Sequence, residues 1–115
     1  MSTARRGVLE TMLPAGSIAD ELSGKFSINP VVRDLVVYAT GTGAINAGVI
    51  TIEEAPTEEH AGAWSEIDTF TATDLANGAT QAMHLEGTYG ALRARISTAI
   101  GVGSVEVLLK CSAHG

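Results

Sequence analysis

Arg93 and Arg95 are the two side chains in this sequence best spaced to act as a pair. Residues i and i+2 of an extended strand share a face, so both guanidinium groups project from one side of the segment Ala91–Ser97. Two uses fit such a pair. One is a cross-strand ladder of ion pairs, with Glu86 and Glu106 as candidate partners on neighbouring strands. The other is a contact with another subunit, since Arg is enriched at interfaces. An exposed ion pair is worth under about 1 kcal/mol, and the sequence leaves both uses open.

Other groupings fall short of a working site. Glu53, Glu54, Glu58 and Glu59 with His60 collect carboxylates, but calcium loops bring Asp, Asn and Gly at tight alternating spacing. That spacing is missing, and the run reads as a solvated loop. His60, His84 and His114 lie far apart, without the close Cys or His neighbours of zinc sites. Cys111 falls in an apolar alternation, where burial keeps a thiol inert. No Gly-x-Ser-x-Gly elbow occurs. Gly41-Thr42-Gly43 and Gly101-Val102-Gly103 lack the following helix that a phosphate loop needs. Glu66 and Asp68 are alternate residues of a surface strand, a commonplace arrangement. The expectation is a protein with no catalytic residues, no metal and no cofactor, and not an enzyme.

The aromatics offer one further possibility. Trp64 and Tyr89, if exposed, could stack on a sugar ring, which is the basis of an alternative reading as a carbohydrate-binding module. Aromatic residues make up only 4% of the chain, however, and a core of this size needs most of them. Trp64 is therefore expected as a core plug capping one end of the fold.

The elements that would carry these residues are strands. Leu35–Thr40 is a β-branched run ending at Gly41-Thr42-Gly43. Gly48–Glu53 follows, closed by Pro56, which cannot donate to a ladder. In Ala63–Ala72 strict alternation fails, because Ile67 and Phe70 are three apart, and a β-bulge between them is expected. Asp74–Gly78 reads as a turn with Asn77-Gly78. Gln81–Glu86, Ala91–Ser97 and Val105–Cys111 complete six strands, the last with Val105, Val107, Leu109 and Cys111 alternating inward. Regular Gly-rich turns between short strands indicate an all-β, antiparallel β-sandwich, jelly-roll-like. Residues 31–115 form this domain. Residues 1–30, broken by Pro14, Gly16, Gly24 and Pro30, read either as an N-terminal arm on a neighbouring subunit or as extra edge strands.

Composition bounds the rest. A chain of 115 residues is one domain, long enough to hold a core without a metal or disulfide. Its 45% apolar content is ordinary, and 13 glycines imply many turns. The formal net charge is −6. Residues 1–33 hold four basic and three acidic groups, whereas residues 34–115 hold three basic and ten acidic ones. Affinity for nucleic acid depends on neutralising phosphates, so no nucleic-acid partner is expected. No signal peptide and no apolar run of bilayer length is visible, so no membrane association is expected either.

Five stretches resemble small structural proteins of tailed bacteriophages. These are Leu35-Val36-Val37-Tyr38-Ala39-Thr40-Gly41-Thr42-Gly43, Gly48-Val49-Ile50-Thr51-Ile52-Glu53-Glu54, Trp64-Ser65-Glu66-Ile67-Asp68-Thr69-Phe70-Thr71, Gly87-Thr88-Tyr89-Gly90-Ala91-Leu92-Arg93-Ala94-Arg95-Ile96 and Gly103-Ser104-Val105-Glu106-Val107-Leu108-Leu109. The resemblance spans about two-thirds of the chain and implies a virion-associated β-sandwich without catalytic residues, made in the host cytoplasm and located in the virion. It implies a head-associated, capsid-decoration role, binding the major capsid protein or other virion proteins and forming a homo-oligomer, with a tail or collar connector as the alternative. Arg5, Arg6, Arg93 and Arg95 are the candidate contacts. On this reading residues 1–30 grip the shell, and their deletion is expected to leave the sandwich folded.

Overall fold

The computed structural model describes residues 2–4, 9–19, 26–28, 32–86 and 89–113. Among these residues nine strands form two sheets: β1 (Ser2–Ala4), β2 (Leu9–Ser17), β3 (Phe26–Ile28), β4 (Val32–Thr42), β5 (Ala47–Ala55), β6 (Ser65–Thr71), β7 (Thr80–Glu86), β8 (Ala91–Gly101) and β9 (Ser104–Ala113). One sheet runs β1-β3-β8-β5-β6 and the other β2-β9-β4-β7. Strand β1 adds to β3 in parallel, and strands β2 to β9 pair antiparallel as a ribbon wound on itself. The hairpin β5–β6 is its closed end, and β4 pairs with β7, β3 with β8 and β2 with β9, successive pairs falling in opposite sheets. The antiparallel sandwich expected from the turn spacing is the architecture observed.

Period-two burial produces the core. Leu35, Val37 and Ala39 on β4, Ile50 and Ile52 on β5, Leu92, Ala94 and Ile96 on β8, and Val105, Val107 and Leu109 on β9 all point between the sheets. Phe70 joins them from β6. Aliphatic and β-branched side chains fill most of this space, as the scarcity of aromatics requires. Each fully buried side chain of this size contributes roughly 1.5–3 kcal/mol relative to exposure.

Two expected irregularities are present in altered form. The bulge sits at Ile67 itself: Ile52 faces Asp68 while Glu53 faces Glu66, so Ile67 is the extra residue. Its side chain still packs against the core, which explains how Ile67 and Phe70 both contribute from one strand. The expected turn at Asp74–Gly78 is a short 3₁₀ segment, Ala72–Gly78, whose kink places Asn77 at φ 60° and Gly78 at φ 86°. It drives the fully buried Leu75 into the end of the sandwich. Gly41 makes this possible, since a Cβ there would collide with the Leu75 carbonyl oxygen.

Of the two expectations for the N-terminal segment, an arm or extra edge strands, its described residues form strands β1, β2 and β3 of the two sheets. Strand β2 pairs with β9 from Leu9 to Ser17, and Met12 and Leu13 are fully buried in the core. Register shifts between Thr11 and Leu13, and again between Leu13 and Ser17, break the alternation. That break removes the regular alternation by which the later strands read in sequence. Deleting residues 1–30 would therefore remove two fully buried core side chains, Met12 and Leu13.

Candidate interaction surfaces

Each sheet has one face toward the core and one away from it, and the two outer faces differ in chemistry. On the five-stranded sheet, the outward residues of β5 are Thr51, Glu53 and Ala55, and those of β8 are Ala91, Arg93 and Arg95. Their register sets Ala55 against Ala91, Glu53 against Arg93 and Thr51 against Arg95. Arg93 Nε donates to Glu53 Oε1 at 2.7 Å, and Arg95 Nη1 lies 3.6 Å from Glu53 Oε2. Glu53 is thus clasped by both arginines. Its side chain is 8% exposed, against 16% for Arg93 and 38% for Arg95. Thr51 Oγ1 and Ser97 Oγ share a hydrogen bond of 2.8 Å beside them.

The loop after Pro56 closes this face. Trp64 packs on Ala55 and Ala91 as a separate small cluster, and the Arg93 guanidinium lies over its ring, 4.5 Å from the centroid. Such a contact adds about 0.5–1 kcal/mol or more when desolvated. Trp64 Nε1 donates to the His60 carbonyl oxygen at 3.2 Å, holding the loop down. Trp64 is buried, as expected, but it caps the outer face of a sheet and not the inter-sheet core. Its ring is covered by Arg93, so it is withheld from stacking on a sugar. Tyr89 is partly buried against the core, and its hydroxyl donates to the Glu86 carbonyl oxygen at 3.1 Å. Burial, with the nearby Glu54 carboxylate, pushes the Tyr89 phenol above its usual 10.0.

On the four-stranded sheet the outer face is apolar at its centre. Tyr38 lies between Leu108 of β9 and Ala82 of β7, and Val36 between Lys110 and His84. Val36, Tyr38 and Leu108 are partly exposed, and no described strand covers them. Thr11 flanks Leu108 from β2. Thr40 and Thr80, joined by a 2.8 Å hydroxyl contact, Glu106, Asp34 and Glu86 complete a polar rim.

The structure brings Arg93 and Arg95 together with Glu53, not with the expected Glu86 and Glu106. Strands β7 and β9 belong to the other sheet, whereas the neighbours of β8 are β3 and β5. Arg5 and Arg6 lie outside the described residues, and so does His114. Two features escaped the sequence reading: the role of Glu53, and the apolar patch. Each had a signal. Glu53 follows Thr51 on the face opposite Ile50 and Ile52, and Val36, Tyr38 and Leu108 are apolar where the alternation calls for polar residues. Among the described residues no group of three or more His, Cys, Asp or Glu is arranged to hold a metal, and no helix is long and apolar enough to cross a membrane. Compared with protein-family models, with curated proteins and with solved structures, the chain matches none.

Proposed function

We propose that this chain is a structural protein of a tailed-bacteriophage particle, a head-decoration component that binds coat subunits and stabilises the shell. We also read its strand order as that of a jelly roll, in which a ribbon of eight strands, β2 to β9, gives two four-stranded layers. Such a fold hosts many functions, so the functional reading rests on a surface. The observation that carries it is the patch of Val36, Tyr38 and Leu108 inside its polar rim. An apolar centre with a charged margin is the anatomy of a protein-docking surface. The resemblance of residues 35–109 to phage structural proteins supports coat subunits as the partner. Binding to the shell and not to free coat subunits raises shell stability by mass action.

The test is direct. Mass spectrometry of purified particles from producing cells should find the chain in a copy number set by the shell symmetry. Tyr38→Asp and Leu108→Asp should keep the wild-type circular dichroism spectrum and be depleted from particles at least tenfold. Absence of the wild-type chain from particles refutes the proposal.

A further inference from the structure

Every open sheet edge presents unpaired N–H and C=O groups, and proteins block such edges with prolines, bulges, charges or brevity. Among the described residues the sandwich has four edge strands. Strand β1 has three residues. Strand β2 carries Pro14 and two register shifts. Strand β6 carries Glu66, Asp68 and the Ile67 bulge. Strand β7 has none of these devices along its length. Its residues Thr80–Glu86 pair with β4 through seven consecutive partners without a shift, and its single acidic residue stands at one end.

We propose that β7 is a self-association edge, at which two copies of the chain pair antiparallel about a two-fold axis through Met83. The two four-stranded sheets then join into one of eight strands. The occupant is a second copy because β7 is its own complement. All seven residues pair only when Met83 faces its counterpart, which sets Thr80 opposite Glu86, Gln81 opposite Leu85 and Ala82 opposite His84. Each pair joins residues of one face, so Met83 and Leu85 stay on the core side in both copies. A slip of one residue would turn them outward. The two Glu86 carboxylates are carried to opposite ends of the junction, so no like charges meet. Isologous pairing of this kind closes on itself and cannot grow into a fibre.

The same register aligns the outer faces. The row Leu108–Tyr38–Ala82 of one copy continues into His84 and Val36 of the second, so the two apolar patches become one continuous surface. The pairing itself does not depend on what that surface docks to. It is tested on the purified chain alone, and its failure would leave the particle-binding proposal standing.

The test is sedimentation velocity of the full chain over a concentration series, with substitutions that read the register. Like charges directly opposite are destabilising, and the two-fold counts each pair twice. Thr80→Glu places two carboxylate pairs at the junction and should weaken the dimer by about 2- to 30-fold. Thr80→Lys should strengthen it. The charge swap Thr80→Glu with Glu86→Lys should restore dimerisation to at least the wild-type level. Thermal melts confirm that each variant is folded, since Thr80 and Glu86 are exposed. A wild-type chain that stays monomeric at millimolar concentration overturns the proposal. So does a dimer whose affinity is the same in all three variants.

Discussion

Removing Glu53 probes the closed face most directly, because two arginines and a tryptophan depend on it. The Arg93 contact at 2.7 Å is a charge-assisted hydrogen bond with both partners largely shielded. Bonds to charged groups contribute about 1.5–3 kcal/mol, and the residual exposure of Arg93 argues for the lower half of that range. The Arg95 contact is longer, at 3.6 Å, on a side chain 38% exposed, and belongs with surface pairs worth under about 1 kcal/mol. Glu53→Ala should therefore cost about 2–3 kcal/mol, read as a drop of roughly 1 M in the urea midpoint for a chain of this size. Double-mutant cycles separate the two contacts, with Arg93→Met and Arg95→Met keeping most of the side-chain stem. The Glu53–Arg93 coupling should exceed the Glu53–Arg95 coupling by about 1 kcal/mol, following the same assignment of buried and surface pairs. Equal couplings, or a cost below about 0.5 kcal/mol for Glu53→Ala, typical of a surface site, would refute the view that shielding gives this carboxylate its weight.

Three further outcomes follow from single features. A chain lacking residues 1–30 loses β2 with its buried Met12 and Leu13, and its urea unfolding should show no cooperative transition; a sharp transition would mean that β9 tolerates an open edge. Val102 is 63% exposed and held at φ 56° between Gly101 and Gly103; a β-branched residue there is strained, so Val102→Asn should raise stability by about 0.5–1 kcal/mol in the same denaturation assay. Tyr89 is held neutral in the folded chain by burial and then by Glu54. The stability this gives is fully present below pH 10.0 and lost as pH rises through the higher folded-state value; in a Tyr38→Phe background, absorbance titration should show the tyrosinate forming above pH 10.0, and earlier when Glu54→Gln is added.

The six strands from Leu35 onward were legible because the signal for a strand is local. Val105, Val107 and Leu109 alternate with Glu106, Leu108 and Lys110, and no partner is needed to read that period. Pairing is not local. Arg93 and Arg95 were correctly placed on one face, yet their carboxylate lies forty residues upstream of Arg93 at Glu53, in a strand that becomes a neighbour only once the ribbon is wound. Glu86 and Glu106 are nearer in sequence and sit in the other sheet. The same limit leaves residues 1–30 open in sequence between an arm and edge strands, because the bulges of β2 spoil its alternation although Met12 and Leu13 reach the core. Trp64 was readable as buried because one tryptophan in 115 residues is seldom left in solvent. Which face it covers depended on the loop that His60 and Trp64 close, and only the fold supplies that.

The Glu53 cluster also raises the question of why charge is kept where apolar residues would pack. Replacing a shielded ionic group by hydrophobic residues of similar size is often neutral or stabilising, and Ala55, Ala91 and Trp64 already make the neighbourhood partly apolar. A register role fits the geometry better than a stabilising one. Arg93 and Arg95 alternate with Leu92, Ala94 and Ile96, so a slip of one residue between β5 and β8 would bring a guanidinium toward the core and part it from Glu53. The combined variant Glu53→Leu, Arg93→Met, Arg95→Met should accordingly unfold at a urea concentration equal to or above that of the wild type. Its amide spectrum should nevertheless show extra peaks for Ala47–Ala55 and Ala91–Gly101, reporting more than one pairing of the two strands. A single sharp set of peaks would mean that the inward alternation of Ile50, Ile52, Leu92, Ala94 and Ile96 fixes the register by itself, leaving the ions without that role.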